Sequence, residues 1–149
     1  MDTIPLLPDF SDFLRFLNDE GVEYLLIGGM AVNYYGYHRS TADLDVWVAV
    51  NPENEDRLAR ALRKFGFSEA TVAQRPLLEP GKFIRMGIEP VRIEIFTEVS
   101  GVDFEECYPR RESVILGDVR IDVIHLDDLK KSKRATGRHK DLADLEELS

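Results

Sequence analysis

The sequence has almost no cysteine, since Cys107 is the single one among 149 residues. An intrachain disulfide is therefore impossible, and a zinc site built from clustered cysteine and histidine cannot form. Long apolar runs are also missing, because no stretch of the chain approaches the ~20 apolar residues that a membrane-spanning helix needs. The first ten residues, MDTIPLLPDF, carry acids where a signal peptide would carry bases. These absences predict a soluble, cytoplasmic protein with no membrane partner.

Positive charge is scarce as well. The chain has 19 Lys and Arg residues against 28 Asp and Glu residues, which gives a formal net charge of -9. This balance argues against binding to an extended nucleic acid, whose affinity rests on basic side chains that neutralise phosphates. One local exception is the run KKSKRATGRHK at 130–140, which contains no acid. On its own, such a run is typical of a solvated helix face.

The spacing of apolar residues predicts a single domain over residues 1–149 with a mixed α/β (α+β) organisation. Helical spacing occurs at 9–20 and 51–66, and a shorter helix is expected after the glycine pair at 28–29. Segments with strand character lie, in chain order, at 23–27, 44–50, 82–86, 91–97, 113–116 and 119–124. We expect a mixed sheet of about five strands flanked by helices. Its core would span about 22–125, followed by a pair of C-terminal helices at about 126–148.

Two aspartates interrupt one of the apolar segments. In DLDVWV, Asp43 and Asp45 alternate with Leu44 and Val46. On a strand, both carboxylates therefore lie on one face while the apolar side chains point to the other. Like charges at this distance repel each other and raise one pKa unless positive charge compensates. A divalent cation such as Mg²⁺ is the simplest compensation, because it prefers oxygen ligands.

A third acid has a matching position in a later segment. In VRIEIF, Glu94 shares a strand face with Arg92 and Phe96. If this strand lies beside the strand of Asp43 and Asp45, three carboxylates converge. Such a cluster suits two metal ions about 4 Å apart, as in phosphoryl and nucleotidyl transfer.

A glycine pair, Gly28-Gly29, stands where a strand passes into a helix. Glycines at such a turn let the backbone approach a phosphate closely, with free N–H groups and the positive helix end directed at it. The same pair is also an ordinary strand-to-helix turn. It is neither the dinucleotide fingerprint G-x-G-x-x-G nor a Walker loop.

Together these features resemble the polymerase-β-type nucleotidyltransferase superfamily. The resemblance rests on the strand before Gly28-Gly29, on Arg39-x-Thr41-x-Asp43-Leu44-Asp45-Val46, and on Ile93-Glu94-Ile95. The tail, Lys133-x-x-x-x-Arg138-x-Lys140-Asp141, is similar to the closing motif of AbiEii-type toxins and related bacterial nucleotidyltransferase-like proteins. The resemblance implies a nucleotidyltransferase fold. It also implies an Mg²⁺- or Mn²⁺-dependent transfer of a nucleoside monophosphate from NTP to a hydroxyl or phosphate, with release of pyrophosphate.

The resemblance implies roles for individual residues. Asp43 and Asp45 would bind the metal, and Glu94 would join them and help to activate the acceptor, although many relatives have aspartate there. Nucleotide contacts are implied for the glycine turn, the loop before the aspartates and the basic tail, which comprise Gly28, Gly29, Arg39, Thr41, Lys133, Arg138, Lys140 and Asp141.

Structural interpretations of the same residues stand beside these roles. Asp43 and Asp45 would then be solvent-facing acids of an edge strand, and Glu94 would form a cross-strand ion pair with an arginine. Arg39 would neutralise Asp43 instead of contacting phosphate. The basic tail would be a solvated helix face, and its acids would pair with bases one helical turn away.

Three functions are compatible with the sequence. The first is an active nucleotidyltransferase whose acceptor is a small molecule, a tRNA end or a protein. The second is a toxin-antitoxin component that modifies or neutralises a partner protein encoded by a neighbouring gene. The third is a non-catalytic nucleotide-binding module of the same fold.

Overall fold

The computed structural model describes residues 8–36, 43–86 and 92–148. Its elements form one six-stranded sheet with helices around it. In chain order the elements are α1 (Pro8–Asp19), β1 (Tyr24–Ile27), α2 (Gly28–Tyr34), β2 (Asp43–Val48), α3 (Pro52–Phe65), α4 (Glu69–Val72), β3 (Phe83–Met86), β4 (Arg92–Phe96), α5 (Phe104–Cys107), a 3₁₀ turn (Tyr108–Arg110), β5 (Glu112–Leu116), β6 (Val119–Val123), α6 (Leu126–Thr136) and α7 (His139–Leu148).

The sheet is mixed, with the strand order β3-β4-β2-β1-β6-β5. β1 pairs with β2, β3 with β4 and β5 with β6 in antiparallel fashion, whereas β2 pairs with β4 and β1 with β6 in parallel. The predicted α+β class is thus confirmed. The described residues contribute six strands to the sheet, one more than the approximate five expected, because both members of each predicted hairpin join it. None of the helices in the described ranges is long and apolar enough to cross a bilayer.

The two faces of β2 have different chemistry, as the alternation of its residues predicts. Leu44, Val46 and Val48 are fully buried in the hydrophobic core. Helices α1 and α3, which contribute further core residues, contact each other, and the rings of Phe13 and Phe65 meet edge to face at 5.3 Å. The other face of β2 carries the two aspartates. One face of the strand therefore stabilises the fold and leaves the opposite face available for polar chemistry.

A buried asparagine ties the start of α3 to the ends of β1 and β2. The Asn54 amide oxygen accepts a hydrogen bond from the Glu23 N–H at 2.8 Å, and its Nδ2 donates to the Glu23 and Ala49 carbonyls at 3.2 and 2.8 Å. Asn51 caps the same helix by accepting from the Asn54 N–H at 2.8 Å. Asn54 thus supplies a partner to the Glu23 N–H just before β1 and to the Ala49 carbonyl just after β2, while the Glu23 carbonyl also accepts from the Ala49 N–H at 3.2 Å.

Asn54→Ala should lower the free energy of unfolding by about 2–3 kcal/mol, because it leaves the Glu23 N–H and the buried Ala49 carbonyl without the partner that Asn54 supplies. Asn51→Ala is the matched control: it removes only an N-cap, which costs about 1 kcal/mol. Urea denaturation of both variants measures the difference. Equal losses would contradict the proposed role of the Asn54 amide.

Candidate active site

Three carboxylates converge where β2 and β4 run side by side. Asp45 lies opposite Glu94 in the register of the two parallel strands, and Asp43 precedes Asp45 on the same face. One oxygen from each of Asp43, Asp45 and Glu94 lies within 4.8 Å of the others. The structure therefore brings Glu94 of one segment together with Asp43 and Asp45 of another, as the sequence predicts. Their oxygen-only donor set is the type that could hold a hard divalent cation.

Asp45 is the most constrained of the three acids. Its Oδ1 is buried and has no hydrogen-bond partner among the residues that the structure describes. Burial, followed by the charges of Glu94 and Asp43, raises the pKa of Asp45 to about 7, and the charges of Lys140 and Lys133 offset only part of this effect. An ionised carboxylate at this position thus lacks sufficient compensation from the protein alone.

Gly28 makes the position of Asp45 possible. Its φ is +72°, and a Cβ built on it would lie 2.2 Å from Asp45 Oδ2 and 3.0 Å from Asp45 Cγ. The carboxylate of β2 therefore lies directly against the backbone where β1 becomes α2. Any residue with a side chain would be strained by its backbone and would also displace the carboxylate.

Glu94 has arginine partners, as the structural interpretation of the sequence predicts. Arg85, its register partner on β3, places Nε 3.5 Å from Glu94 Oε1, and a guanidinium nitrogen of Arg92 lies 3.8 Å from the same oxygen. Arg85 was not among the residues singled out in the sequence, because its approach depends on the pairing of β3 with β4. These arginines compensate for the charge of Glu94, while Asp45 has no arginine partner of this kind in the described ranges.

The C-terminal helices α6 and α7 bring a buried lysine to the site. Lys133 Nζ lies 3.3 Å from Asp141 Oδ1 and 3.0 Å from Asp144 Oδ2, and all three side chains are almost inaccessible to solvent. Lys133 therefore belongs neither to a solvated helix face nor to a flexible tail. The ion pairs hold its ammonium group in one place beside the carboxylate site.

Asp141 serves this arrangement as an anchor. Its Oδ2 accepts from Thr136 Oγ1 at 2.6 Å and from Arg138 Nε at 2.7 Å, while Oδ1 faces Lys133. Burial acts to raise the pKa of Asp141, but the bonds from Arg138 and Thr136 and the charge of Lys133 hold it down at about 2. The carboxylate is thus fully engaged within the protein, and Asp141 acts as a positioning residue for Lys133.

A cleft of about 240 Å³ lies between the glycine turn, Asp45 and the two C-terminal helices. The predicted residues that line it are Gly28, Gly29, Asp45, Lys133, Arg138, Lys140 and Asp141. Ser100 and Thr136 also line it, although neither had been identified from the sequence. Arg39 and Thr41, which the family motif assigns to the nucleotide, lie outside the described residues.

Comparison with protein families matches residues 7–149 to a family described as a nucleotidyl transferase of unknown function (DUF2204). The chain belongs to this family. The match covers nearly the whole sequence, and it confirms the predicted nucleotidyltransferase relationship at the level of the family. No curated protein matches the chain.

Two solved structures share the fold of this chain. A Thermotoga maritima protein assigned to the nucleotidyltransferases is 16% identical, with a TM-score of 0.57 over 91% of this chain and 86% of that one. An antigenic nucleotidyltransferase-like protein from Paracoccidioides brasiliensis is also 16% identical, with a TM-score of 0.55 over 93% of this chain and 72% of that one. At 16% sequence identity, the structural similarity establishes a shared fold.

Gly28→Ala should destabilise the protein more than Gly117→Ala. Both glycines have positive φ, +72° and +64°, but a Cβ at Gly117 meets nothing within 4 Å. Gly117→Ala therefore carries only the backbone cost of about 1–2 kcal/mol. Gly28→Ala adds the collision with Asp45 and should cost at least about 1 kcal/mol more. Chemical denaturation measures both values, and equal losses would rule out close contact between Gly28 and Asp45.

The free energy of unfolding of Asp45→Asn should increase relative to that of the wild type as pH rises from about 4 to about 7. The buffer contains a chelator, so that no metal ion occupies the site. The pKa of Asp45 is raised when folded, so the folded wild type binds the extra proton and loses stability through this range. The relative gain should reach on the order of 1 kcal/mol or more, since one pKa unit corresponds to about 1.4 kcal/mol.

Asp118→Asn is the control, measured by the same pH series of urea denaturations. Arg15 lowers the pKa of the exposed Asp118, so the stability that this ion pair adds is lost only as pH falls below about 4, and the stability of the variant relative to the wild type should stay nearly constant from about 4 to about 7. A pH-independent stability difference for Asp45→Asn would contradict the raised pKa of Asp45.

Proposed function

We propose that the protein is a metal-dependent nucleotidyltransferase that moves a nucleoside monophosphate from NTP to an acceptor and releases pyrophosphate. The observation that carries the proposal is the convergence of Asp43, Asp45 and Glu94 beside a cleft with a glycine turn and lysines. Family membership supports nucleotidyl transfer in general. Metal dependence, the NTP substrate and the release of pyrophosphate are proposed here in addition to what family membership supports.

The carboxylate cluster fits a bound Mg²⁺ or Mn²⁺. The unsatisfied, buried Oδ1 of Asp45 is a lone acceptor atom that a cation would satisfy, and all three donors are hard oxygen ligands. A cation held by Asp43, Asp45 and Glu94 would supply positive charge against the phosphates of the substrate. It would also lower the pKa of Asp45, so that the ionised form predominates at neutral pH.

The cleft beside the carboxylates suits the triphosphate. Gly28 and Gly29, at the start of α2, line it together with Lys133, Arg138 and Lys140. Glycines that permit close backbone approach and basic side chains would both favour a polyphosphate once a cation offsets the charge of Asp45. Lys133 is held by Asp141 and Asp144, so its ammonium group is oriented before the substrate arrives.

Glu94 is the residue proposed to accept the proton of the acceptor hydroxyl. The oxygen of that hydroxyl would form a bond to the α-phosphorus, and the bond between the α-phosphorus and the bridging oxygen to the β-phosphorus would break. Pyrophosphate carries away the electron pair of the broken bond. Arg85 and Arg92, at 3.5 and 3.8 Å from Glu94, orient its carboxylate for this task.

Calorimetric titration of ATP, CTP, GTP and UTP, each with and without Mg²⁺, tests the proposal directly. We expect binding that requires the metal and that weakens at least about tenfold in Asp43→Asn and Asp45→Asn, a loss of about 1.4 kcal/mol or more. Asp118→Asn, an exposed acid paired with Arg15, should bind like the wild type. Metal-independent binding, or binding that both active-site variants retain, would contradict the assigned metal site.

Two alternatives from the sequence, a toxin-antitoxin component and a non-catalytic nucleotide-binding module, stay predictions. The calorimetric titration followed by a pyrophosphate assay distinguishes a binding module from an active enzyme. A binding module would bind nucleotide but would release no pyrophosphate with any acceptor. That the acceptor is a tRNA end or a protein also stays a prediction.

A further inference from the structure

A second, larger cleft adjoins the first at the carboxyl end of β2 and β4. Its volume is about 700 Å³, and the two clefts share the segment that follows β4. The residues that line both are Phe96, Glu98, Val99 and Ser100. A molecule in the larger cleft would therefore lie next to one bound beside Asp45.

Aromatic side chains line this cleft in a row that continues the carboxylate row. Trp47, Phe96 and Phe83 are partners across β2, β4 and β3, two residues along the strands from Asp45 and Glu94. Two residues along a strand correspond to about 6.6 Å. The Phe83 and Phe96 rings are stacked at 5.7 Å and the Arg85 guanidinium lies 5.3 Å from the centre of the Phe83 ring, yet Phe83 is 49% exposed, so part of its apolar side chain is open to the cleft.

Trp47 adds an unsatisfied donor to the lining of the cleft. Its side chain is only 2% exposed and packs edge to face against Phe104 at 5.1 Å. Its indole Nε1 has no hydrogen-bond acceptor among the described residues. A buried N–H without a partner is costly. A polar acceptor atom on a bound molecule would remove that cost.

The charged residues of this cleft are mostly acidic. Glu98, Asp103 and Glu105 line it, and Lys82 is the only basic residue of the lining in the part of the chain that the structure describes. Lys82 lies 2.8 Å from Glu79, which neutralises it. The field in the cleft therefore favours a cation and repels a polyanion.

We propose that this aromatic cleft, defined by Trp47, Phe83, Phe96 and Phe104, binds the acceptor, and that the acceptor is a small hydroxylated amine with a flat apolar ring. The ring would pack against the exposed part of Phe83, and the ammonium group would face the acids, away from Arg85. The hydroxyl would point along the sheet toward Glu94. The assignment as acceptor rests on the proposed function, whereas the binding chemistry of the cleft does not.

The reaction of such an acceptor balances with the nucleotide alone. The hydroxyl oxygen forms a bond to the α-phosphorus of NTP, its proton passes to Glu94, and the bond from the α-phosphorus to the pyrophosphate oxygen breaks. The products are the phosphodiester of the amine and pyrophosphate. No oxidant or further co-reactant is needed.

Trp47 provides the readout, because it is the single tryptophan of the chain and lines the cleft. Its fluorescence is followed while the protein is titrated with phenethylamine, 3-phenylpropionate, butylamine and a single-stranded RNA trinucleotide. Phenethylamine should bind at least about tenfold more tightly than 3-phenylpropionate, which has a similar ring and the opposite charge. It should also bind more tightly than butylamine, which lacks the ring.

Variants locate the binding. Phe83→Ala and the milder Phe83→Leu should each weaken phenethylamine binding by about threefold or more. Asp103→Asn combined with Glu105→Gln should reduce the preference for the cation. Ile115→Ala is the matched control, because it removes an exposed apolar side chain from β5 at the opposite edge of the sheet. It should bind like the wild type.

Several outcomes would overturn the proposal. They are the absence of saturable quenching by phenethylamine, tighter binding of the anion, or unchanged binding in both Phe83 variants. Preferential binding of the trinucleotide, weakened by Phe83→Ala, would instead assign the cleft to a nucleic-acid end.

A second assay separates this inference from the proposed function. Phenylethanolamine, which has a ring, an ammonium group and a hydroxyl, is incubated with NTP and Mg²⁺, and its nucleotide ester is sought by mass spectrometry. An ester lost in both Asp45→Asn and Phe83→Ala supports both proposals. Phenethylamine binding without metal-dependent NTP binding would support the aromatic cleft as a ligand site and would overturn the proposed nucleotidyltransferase function. Metal-dependent NTP binding without phenethylamine binding would support the proposed function and would overturn the assignment of the cleft.

Discussion

The constraint on which the site depends is the mutual repulsion of three carboxylates held within 4.8 Å of one another. β2 and β4 impose this proximity, because their parallel register places Asp45 opposite Glu94. The backbone pairing and the apolar residues on the reverse face of β2 outweigh the repulsion. Leu44 and Val46, buried on that face, cannot be withdrawn from the core without losing hydrophobic stabilisation. The fold thus maintains an electrostatic arrangement that is unfavourable in the protein alone.

The neighbouring residues compensate for this repulsion unevenly. Glu94 has two arginines near one of its oxygens, and Lys133 is matched by the buried pair Asp141 and Asp144. Asp45 lies against Gly28 with one buried oxygen unsatisfied, and its pKa is raised to about 7. Unsatisfied buried groups that persist in a stable fold are characteristic of sites where a ligand completes the arrangement. The uneven compensation identifies Asp45 as the position where that ligand is most needed.

The same strand register connects the two clefts. Along β2 and β4 the face that carries the acids continues into Trp47 and Phe96, so carboxylates and aromatic rings lie two residues apart along the strands. Lys133 and Lys140 line the first cleft together with Asp45 and Asp141, whereas the second has three acids and one lysine in its lining. The second cleft is thus the more acidic of the two, which would favour a cationic ligand there. A sheet would hold two adjoining sites more precisely than loops.

The sequence by itself determined what depends on local periodicity. The alternation in DLDVWV placed both aspartates on one strand face, and the spacing of apolar residues located the helices and strands, because these patterns involve residues that are close in the chain. Tertiary structure alone decided which distant segments meet. The pairing of β3 with β4 brought Arg85 to Glu94 and Phe83 to Phe96, and the packing of α6 and α7 buried Lys133 beside Asp141 in place of a solvated helix face. Contacts of this kind depend on strand register and helix packing over many residues, which no local pattern of side chains encodes.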